Sequence, residues 1–206
     1  MDVIRSKEDY RFYLEADRIA LNIRSWFPQY FTHEVWRFQR RLRRLEYIKN
    51  CRTSILFKPY YYYLLWRHTR AERYLGFQIP PNVFGAGLSI AHAHLGCVGA
   101  CPGARIGENC RIHVGVQIAT KAGTHGVCAT IGNNAFIGPN VIIIGDQVIG
   151  DNVAIGAGAV VTRSFPENDI TIGGVPAKKI ADKGSQGLYH RSTDILRQRI
   201  AEGKWK

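Results

Sequence analysis

The sequence has no apolar run long enough to cross a bilayer, and residues 1–18 mix acidic and basic side chains without an apolar core. A membrane-spanning segment and a secretory leader are therefore not expected, and we expect a cytoplasmic protein. The five cysteines are odd in number in a chain large enough to bury its own core, which favours reduced thiols over a disulfide framework. Apolar residues make up 46% of the 206-residue chain and charged residues 21%, as in ordinary globular proteins.

Acidic residues are few, because 16 Asp and Glu stand against 28 Lys and Arg and leave a net charge of +12. This excess predicts an anionic partner: a nucleic acid, a membrane face, an acidic glycan or a phosphorylated cofactor. No recognised DNA- or RNA-binding motif accompanies the charge, so nucleic acid is not expected as a partner.

A basic run over residues 37–52, RFQRRLRRLEYIKNCR, precedes the aromatic stretch YYYYLLW at residues 60–66. Arginines on an amphipathic helix normally form its solvated face, and this is the favoured interpretation. The alternatives are attraction of an acidic glycan and peripheral contact of residues 37–66 with the anionic inner face of the membrane.

Residues 1–76 are predicted to form a small α-helical domain. Ser6 and Asp9 have the spacing of a capping box that begins a first helix, and Pro59 begins a third. Apolar side chains at helical spacing predict the second helix, at Val35, Phe38, Leu42, Leu45 and Ile48.

Branched apolar residues recur at every sixth position from residue 106 onward, a period that fits neither an α-helix nor an alternating strand. A six-residue repeat is typical of a parallel β-helix, in which each repeat forms one short strand and one turn. Three repeats complete a triangular coil, so residues 77–181 are predicted to form a mainly β prism of about four coils. The positions are Ile106, Ile112, Ile118, Ile131, Ile137, Ile143, Ile149, Ile155 and Val161.

The repeat is interrupted once, because Ile131 follows Ile118 by thirteen positions where a multiple of six predicts twelve. Residues 119–130 are therefore predicted to leave the prism as a loop, and loops on rigid scaffolds often carry functional sites. Residues 182–206 are predicted to form a tail or a short basic helix.

The repeats, the loop, GAGLSIAH at residues 85–92 and GGVPAKKI at residues 173–180 together resemble the serine acetyltransferase family of hexapeptide acyltransferases. The resemblance runs from about residue 76 to residue 180 and is closest to the branch that modifies sugars or surface polysaccharides. It implies a left-handed β-helix, assembly as a homotrimer or larger, and acetyl-CoA as co-substrate.

Members of that family carry their catalytic histidine at the end of the segment matching GAGLSIAH, so the resemblance assigns this role to His92. One imidazole can take the proton of a hydroxyl that attacks a thioester and then return a proton to the leaving thiolate. A second histidine of the family aligns nearest Cys128, and His125 in the same loop is a candidate for its role. Gln78 and Ala91 replace two carboxylates of the family, which disfavours L-serine because a carboxylate suits its ammonium group.

The resemblance also places the acetyl-CoA contacts, in a groove between neighbouring prisms. They fall at Gly138, Gly156, Ala157, Lys178 and Lys179, where small residues leave room for pantetheine and lysines attract phosphates. Glycine in these coils is also explained by turn geometry, so that alternative stays open for each glycine.

Four zinc-ligand side chains lie close together in sequence, at His92, His94, Cys97 and Cys101. A metal site is therefore an alternative, although the family needs no metal and dense His/Cys spacing is often fortuitous, so no metal is expected. His113 alternates onto the outer face of a coil and is expected to be structural.

Together these features predict an acetyl-CoA-dependent O-acetyltransferase that modifies a sugar or polysaccharide hydroxyl. Serine O-acetylation is the alternative enzyme activity. A non-catalytic hexapeptide scaffold is the alternative outside enzymes.

Overall fold

The computed structural model describes residues 3–24, 31–124 and 126–205. Its α-helices are α1 (Lys7–Ala20), α2 (Glu34–Cys51), α3 (Lys58–Leu75) and α4 (Ser192–Ala201). The strands, in chain order, are β1 (Phe77–Gln78), β2 (Ser89–Ala91), β3 (Val98–Ala100), β4 (Arg105–Ile106), β5 (Arg111–His113), β6 (Gln117–Ala119), β7 (Thr130–Ile131), β8 (Phe136–Ile137), β9 (Ile142–Ile144), β10 (Val148–Ile149), β11 (Ala154–Ile155), β12 (Val160–Val161), β13 (Thr171–Gly173) and β14 (Lys178–Ala181).

The helices begin where their local sequence predicts. The Ser6 hydroxyl accepts a hydrogen bond from the Asp9 backbone N–H at 2.9 Å, which confirms the predicted cap of α1. Pro59 lies in the first turn of α3, where its missing N–H costs nothing, and Gly76 ends that helix in a left-handed conformation. The apolar positions predicted for α2 are all buried. No helix of the described residues is long and apolar enough to cross a membrane.

The strands form a parallel β-helix with three faces, which confirms the predicted fold. The first face has the order β1-β3-β6-β9-β12, the second β4-β7-β10, and the third β2-β5-β8-β11-β13 with β14 added antiparallel at its end. The five strands of the first face exceed by one the predicted number of about four coils. The hand of the coil stays a prediction.

The repeat isoleucines stack in register through the axis of the prism. Ile106 pairs with Ile131 on the second face, and Ile112 pairs with Ile137 on the third. Each is at most 2% exposed, and burial of such a side chain contributes about 1.5–3 kcal/mol before the cost of ordering the chain. The six-residue period therefore arises because each repeat contributes one side chain to a continuous apolar core.

A ladder of amide side chains stabilises one corner of the prism. Asn109 donates to Asn134 at 2.9 Å, Asn134 to Asn152 at 2.8 Å, and Asn152 to Asp169 at 3.0 Å. All four residues have a φ between 54° and 59°, the left-handed region that Asn and Asp tolerate better than most other residues. The turn geometry and the ladder support each other, since each turn places its amide above the next one.

Buried charges attach the helices to the first coil. The Arg43 guanidinium pairs with Asp17 at 2.8 Å and Glu46 at 3.0 Å, and it donates to the Phe84 and Gly85 carbonyls at 2.9 and 2.7 Å. Asp17 in turn accepts from two backbone N–H groups just before β2, at 2.9 and 3.0 Å. This network positions α1 and α2 against β2, which carries the candidate site. The division into domains at residues 76 and 181 stays a prediction.

The expectation of reduced thiols throughout is wrong for one pair, because Cys101 and Cys128 form a disulfide. Their Cα atoms lie 6.5 Å apart although 27 positions separate them in sequence. The loop after β6 returns to the prism before β7, and this return brings the two cysteines together. Cys51, Cys97 and Cys110 are free, and burial raises the pKa of the Cys110 thiol to about 12.

Candidate active site

His92 leaves the prism at the end of β2. Its backbone has φ 56° and ψ 34°, a left-handed conformation that His adopts more readily than most side chains. The next residues, Ala93–Leu95, form a 3-10 turn in which the Leu95 N–H donates to the His92 carbonyl at 2.9 Å. The exposed imidazole therefore stands at a sharp turn on the rim of a coil, a backbone geometry that concentrates at functional sites.

The imidazole lines a cleft of about 610 Å³ between the helices and the third face. The end of α1, the beginning of α2 and the rim of β2 form its walls, and His33 and His94 also line it. His33 caps α2, because its Nδ1 accepts from the Trp36 backbone N–H at 3.2 Å, and burial lowers the pKa of His33. The cleft is large enough for a small hydroxylated molecule.

A second histidine lies beside His92. His113 pairs with Ala91 in the register of β5 and β2, and its ring centroid lies 5.6 Å from that of His92 and 5.1 Å from that of Phe136. Its Nε2 is buried and has no hydrogen-bond partner within the described part of the chain. The sequence predicts a structural role for His113, whereas the register of the coil brings it next to the predicted catalytic histidine.

The surroundings of His113 keep its imidazole neutral. Burial, together with the nearby charges of Arg111 and His92, lowers the pKa of His113 below its ordinary value. A neutral imidazole with an unpartnered ring nitrogen can donate or accept one further hydrogen bond, although His113 is not among the described residues that line the cleft. The signal that would have found it is the strand register, since Ile90 pairs with Ile112 and the next residues follow.

The cleft carries more positive than negative charge. Arg37 and Arg111 line it, and Arg111 donates to the Ser89 hydroxyl at 3.3 Å. Glu34 is the one carboxylate among the described lining residues, and it pairs with Arg37 at 3.5 Å. Ala91, which precedes His92, is a buried apolar residue, so no carboxylate adjoins the imidazole from that position.

The structure does not bring the four residues of the metal alternative together as one set of ligands. His94 and Cys97 are exposed, and Cys101 is joined to Cys128 and so has no thiolate to offer. Within residues 3–24, 31–124 and 126–205, no group of three or more potential ligand side chains is placed to hold a metal ion. His125 lies outside the described residues.

The residues predicted to contact acetyl-CoA lie in the coils nearer the carboxyl end of the prism, after β8 and β11 and on β14. A Cβ at Gly138 would meet the Ala157 backbone nitrogen at 2.9 Å, so coil stacking alone explains this glycine. At Gly156 the nearest atom would be 3.5 Å away, and Ala157 beside it is exposed. Lys178 and Lys179 are exposed on β14, where the Lys179 ammonium pairs with Glu167 at 2.6 Å and Asp182 at 2.7 Å. The role of these five residues in binding stays a prediction.

Comparison with known proteins agrees with the repeat pattern. Residues 128–163 match the family model for the bacterial transferase hexapeptide of six repeats. The chain is 34% identical over 111 residues to a serine acetyltransferase of Synechococcus elongatus, across 53% of this chain and 44% of that protein. It is 47% identical over 65 residues to the galactoside O-acetyltransferase of Escherichia coli, across 32% of each chain. The chain thus spans less than half the length of either relative.

Solved structures extend the likeness to most of the chain. The serine acetyltransferase of Neisseria gonorrhoeae in complex with serine superimposes with a TM-score of 0.66 at 27% identity, covering 85% of this chain and 71% of that one. A serine acetyltransferase of Brucella abortus in complex with coenzyme A has the same fold, with a TM-score of 0.62 at 23% identity over 86% of this chain and 70% of that one. These matches show that the prism has the fold of hexapeptide-repeat transferases, and that the chain is similar to serine acetyltransferases in sequence and in structure.

Proposed function

We propose that this protein is an acetyl-CoA-dependent O-acetyltransferase in which His92 is the catalytic base. The observation that carries this proposal is the pair of adjacent imidazoles of His92 and His113, whose ring centroids lie 5.6 Å apart, with His92 lining a cleft of about 610 Å³. The names of the relatives support the reaction class, since both curated relatives described above are O-acetyltransferases.

The chemistry needs one proton carrier. His92 takes the proton of the acceptor hydroxyl while the oxygen forms a bond to the thioester carbonyl carbon. The carbon–sulfur bond then breaks, and the same imidazole returns the proton to the leaving thiolate. A histidine suits both steps because imidazole gains and loses a proton near neutral pH, and such catalysis contributes about 10²–10⁴-fold.

His113 is proposed to assist His92 without carrying the proton itself. Its neutral ring lies beside that of His92, and its buried Nε2 has no hydrogen-bond partner among the described residues, so His113 can orient the catalytic imidazole. Because a second positive charge beside His92 would oppose protonation of the catalytic base, a neutral neighbour favours the first proton transfer.

Acetyl-CoA is proposed as the acetyl donor, bound along the exposed edge near Gly156. A Cβ at Gly158 would meet no atom within 4 Å, and Ala157 is exposed, so this edge is smooth enough for an extended pantetheine chain. The coenzyme A bound to the Brucella abortus enzyme supports the same donor class.

The acceptor that the comparisons support best is the hydroxyl of serine. The relative from Synechococcus elongatus and the Neisseria gonorrhoeae structure are both serine acetyltransferases, and the second contains serine. Arg111 in the cleft suits the carboxylate of an amino acid.

A sugar hydroxyl is the second candidate, and one observation favours it. The one carboxylate among the described lining residues, Glu34, is already paired with Arg37, so the cleft offers no second acid for the ammonium group of serine. The match to a galactoside O-acetyltransferase supports this acceptor class.

The test is release of the coenzyme A thiol by the purified protein. L-serine, simple galactosides and acidic sugars are supplied in parallel, and His92→Ala is compared with His190→Ala, which alters an exposed histidine at the other end of the chain. We expect turnover with one acceptor class, a loss of about 10²–10⁴-fold in kcat for His92→Ala, and little change for His190→Ala. Undiminished turnover by His92→Ala would refute the assigned base, and no turnover with any acceptor would favour a binding scaffold.

A further inference from the structure

The surface of α3 is unusual because it exposes aromatic and arginine side chains together. We call the exposed side chains Tyr62, Tyr63, Trp66, Arg67, Arg70, Arg73 and Tyr74 the aromatic–arginine face. At 100° per residue these seven positions fall within one side of the helix, and none of them is acidic. The buried residues of α3, Leu64, His68 and Ala71, lie on the opposite side.

The turn that precedes α3 in the chain also exposes aliphatic side chains. Ile55 is 72% exposed and Leu56 is 83% exposed, and neither contributes to the core. Trp66 in the middle of the face is 56% exposed. Scattered exposed apolar residues are normal, but a contiguous group of this kind marks an interaction site.

Two arginines of this face, Arg67 and Arg70, stack over its aromatic rings. The Arg67 guanidinium lies 5.8 Å from the centre of the Tyr63 ring and donates to its hydroxyl at 3.0 Å, and Arg70 lies 5.2 Å from the centre of the Trp66 ring. A groove of about 360 Å³ between α2 and α3 continues the positive surface with Arg37 and Arg41. Positive heads above apolar rings match an interface between water and lipid.

The charge of this region is one-sided. Residues 34–75 contain eleven Lys and Arg against three Glu. Two of those glutamates are engaged inside the protein, because Glu46 is buried with Arg43, and Glu72 pairs with His68 at 3.4 Å and accepts from the Ile79 N–H. The third, Glu34, pairs with Arg37.

We propose that the aromatic–arginine face, with Ile55 and Leu56, docks the protein on the surface of an anionic phospholipid bilayer. Exposed aromatic and aliphatic side chains would enter the headgroup region, and the arginines would bind lipid phosphates. A second copy of this chain is a poor occupant, since two such faces would bring like charges together.

Docking places the candidate active site beside the bilayer. Glu34, Arg37 and Leu75 line both the groove on this surface and the cleft that contains His92. An acceptor carried by a lipid would then reach the cleft without leaving the membrane, a consequence that rests on the proposed function. The docking itself does not depend on catalysis.

The test is flotation of the full chain with vesicles of phosphatidylcholine alone or mixed with phosphatidylglycerol, at low and high salt. Trp66→Ser and the double variant Arg70→Gln/Arg73→Gln alter the face. The matched controls are Ile180→Ser and Arg163→Gln/Lys183→Gln, which make the same kinds of change at exposed positions on the prism. Neither set alters a residue placed in the active site, so turnover of soluble acceptors reports separately on the proposed function.

We expect binding to the anionic vesicles only, weakened by salt, with a loss of about thirtyfold for Arg70→Gln/Arg73→Gln and no comparable loss for the controls. Equal binding to both vesicle types, or equal losses for the control variants, would overturn the proposal. Sedimentation of the same variants tests the other occupant: a lower assembly mass for Trp66→Ser than for Ile180→Ser would assign the face to contacts between copies of this chain and reject the membrane.

Discussion

At the residue scale, the candidate site is a pair of histidines on adjacent coils with different surroundings. His92 is exposed at a turn and lines the cleft. The half-buried His113 has a lowered pKa and a ring nitrogen without a hydrogen-bond partner among the described residues. The difference in environment separates the roles proposed for them, because only an accessible imidazole could exchange protons with bound substrates.

The lowered pKa of His113 predicts a pH dependence of stability. Between that value and the ordinary value of about 6.5, the unfolded chain binds more protons than the folded chain, so the free energy of unfolding falls as the pH decreases. His33 acts in the same direction, so the slope has two contributors. We expect His113→Gln to reduce the slope measured by urea unfolding from about pH 7 to about pH 5.

The control for this experiment is His190→Gln, which changes an exposed histidine and should keep the slope of the parent protein. An unchanged slope in His113→Gln would mean that the folded protein binds protons at this imidazole as readily as the unfolded chain does.

At the element scale, the coils are defined by how closely they stack. Gly138 lies where the backbone of the next coil leaves no space for a side chain, whereas Gly156 adjoins an open edge. The two glycines occupy equivalent places in the repeat, but packing of the next coil requires the glycine at position 138, whereas packing does not require the one at position 156.

This contrast predicts that alanine lowers the stability of the protein at position 138 but not at position 156. Gly138→Ala should lower the free energy of unfolding by about 1–3 kcal/mol, because its Cβ would meet the Ala157 backbone nitrogen at 2.9 Å. Gly156→Ala should leave stability almost unchanged and raise the KM for acetyl-CoA if the pantetheine chain passes this edge. An unchanged KM would remove Gly156 from the donor site, and equal losses of stability would contradict the stacking explanation.

At the scale of the whole molecule, a small charged cluster attaches the helices to the prism. Arg43, Asp17 and Glu46 are each at most 1% exposed, and their remaining hydrogen-bonding groups reach the backbone before β2. Buried ion pairs of this kind position elements more than they stabilise them, but loss of one partner leaves the others uncompensated. Assembly as a homotrimer or larger stays a prediction, which sedimentation would test.

Arg43→Met therefore should destabilise the protein by about 3–5 kcal/mol, because it leaves two carboxylates buried without their partner. Urea unfolding measures this loss, and Lys49→Met on the exposed side of the same helix is the matched control. A loss no larger than that of the control would show that the carboxylates find other partners or become protonated at little cost.

Much of the fold could be predicted from local sequence because its determinants are periodic. The stacking of Ile112 on Ile137 requires a branched apolar side chain in every repeat, so such side chains recur at a fixed spacing in the sequence. The cap at Ser6 is similarly local, since donor and acceptor lie three positions apart.

Two contacts that local sequence does not predict depend on how strands pair and on where a loop rejoins the prism. His113 meets His92 because Ala91 pairs with it across strands, and an irregular insertion between those strands hides the spacing. Cys101 meets Cys128 because the loop after β6 closes on the prism. Neither contact repeats at a fixed spacing along the chain, so no local sequence pattern predicts it.

The sequence by itself determined the repeating prism and the preceding helices, because short-range spacing encodes both. The catalytic role of His92 came only from the resemblance of GAGLSIAH to a known family and stays a prediction. Only the tertiary structure decided that His113 belongs beside His92 and that the aromatic–arginine face stays outside the core. Both depend on which surfaces meet once strands pair and helices pack, and that choice is made by contacts between residues far apart in the chain.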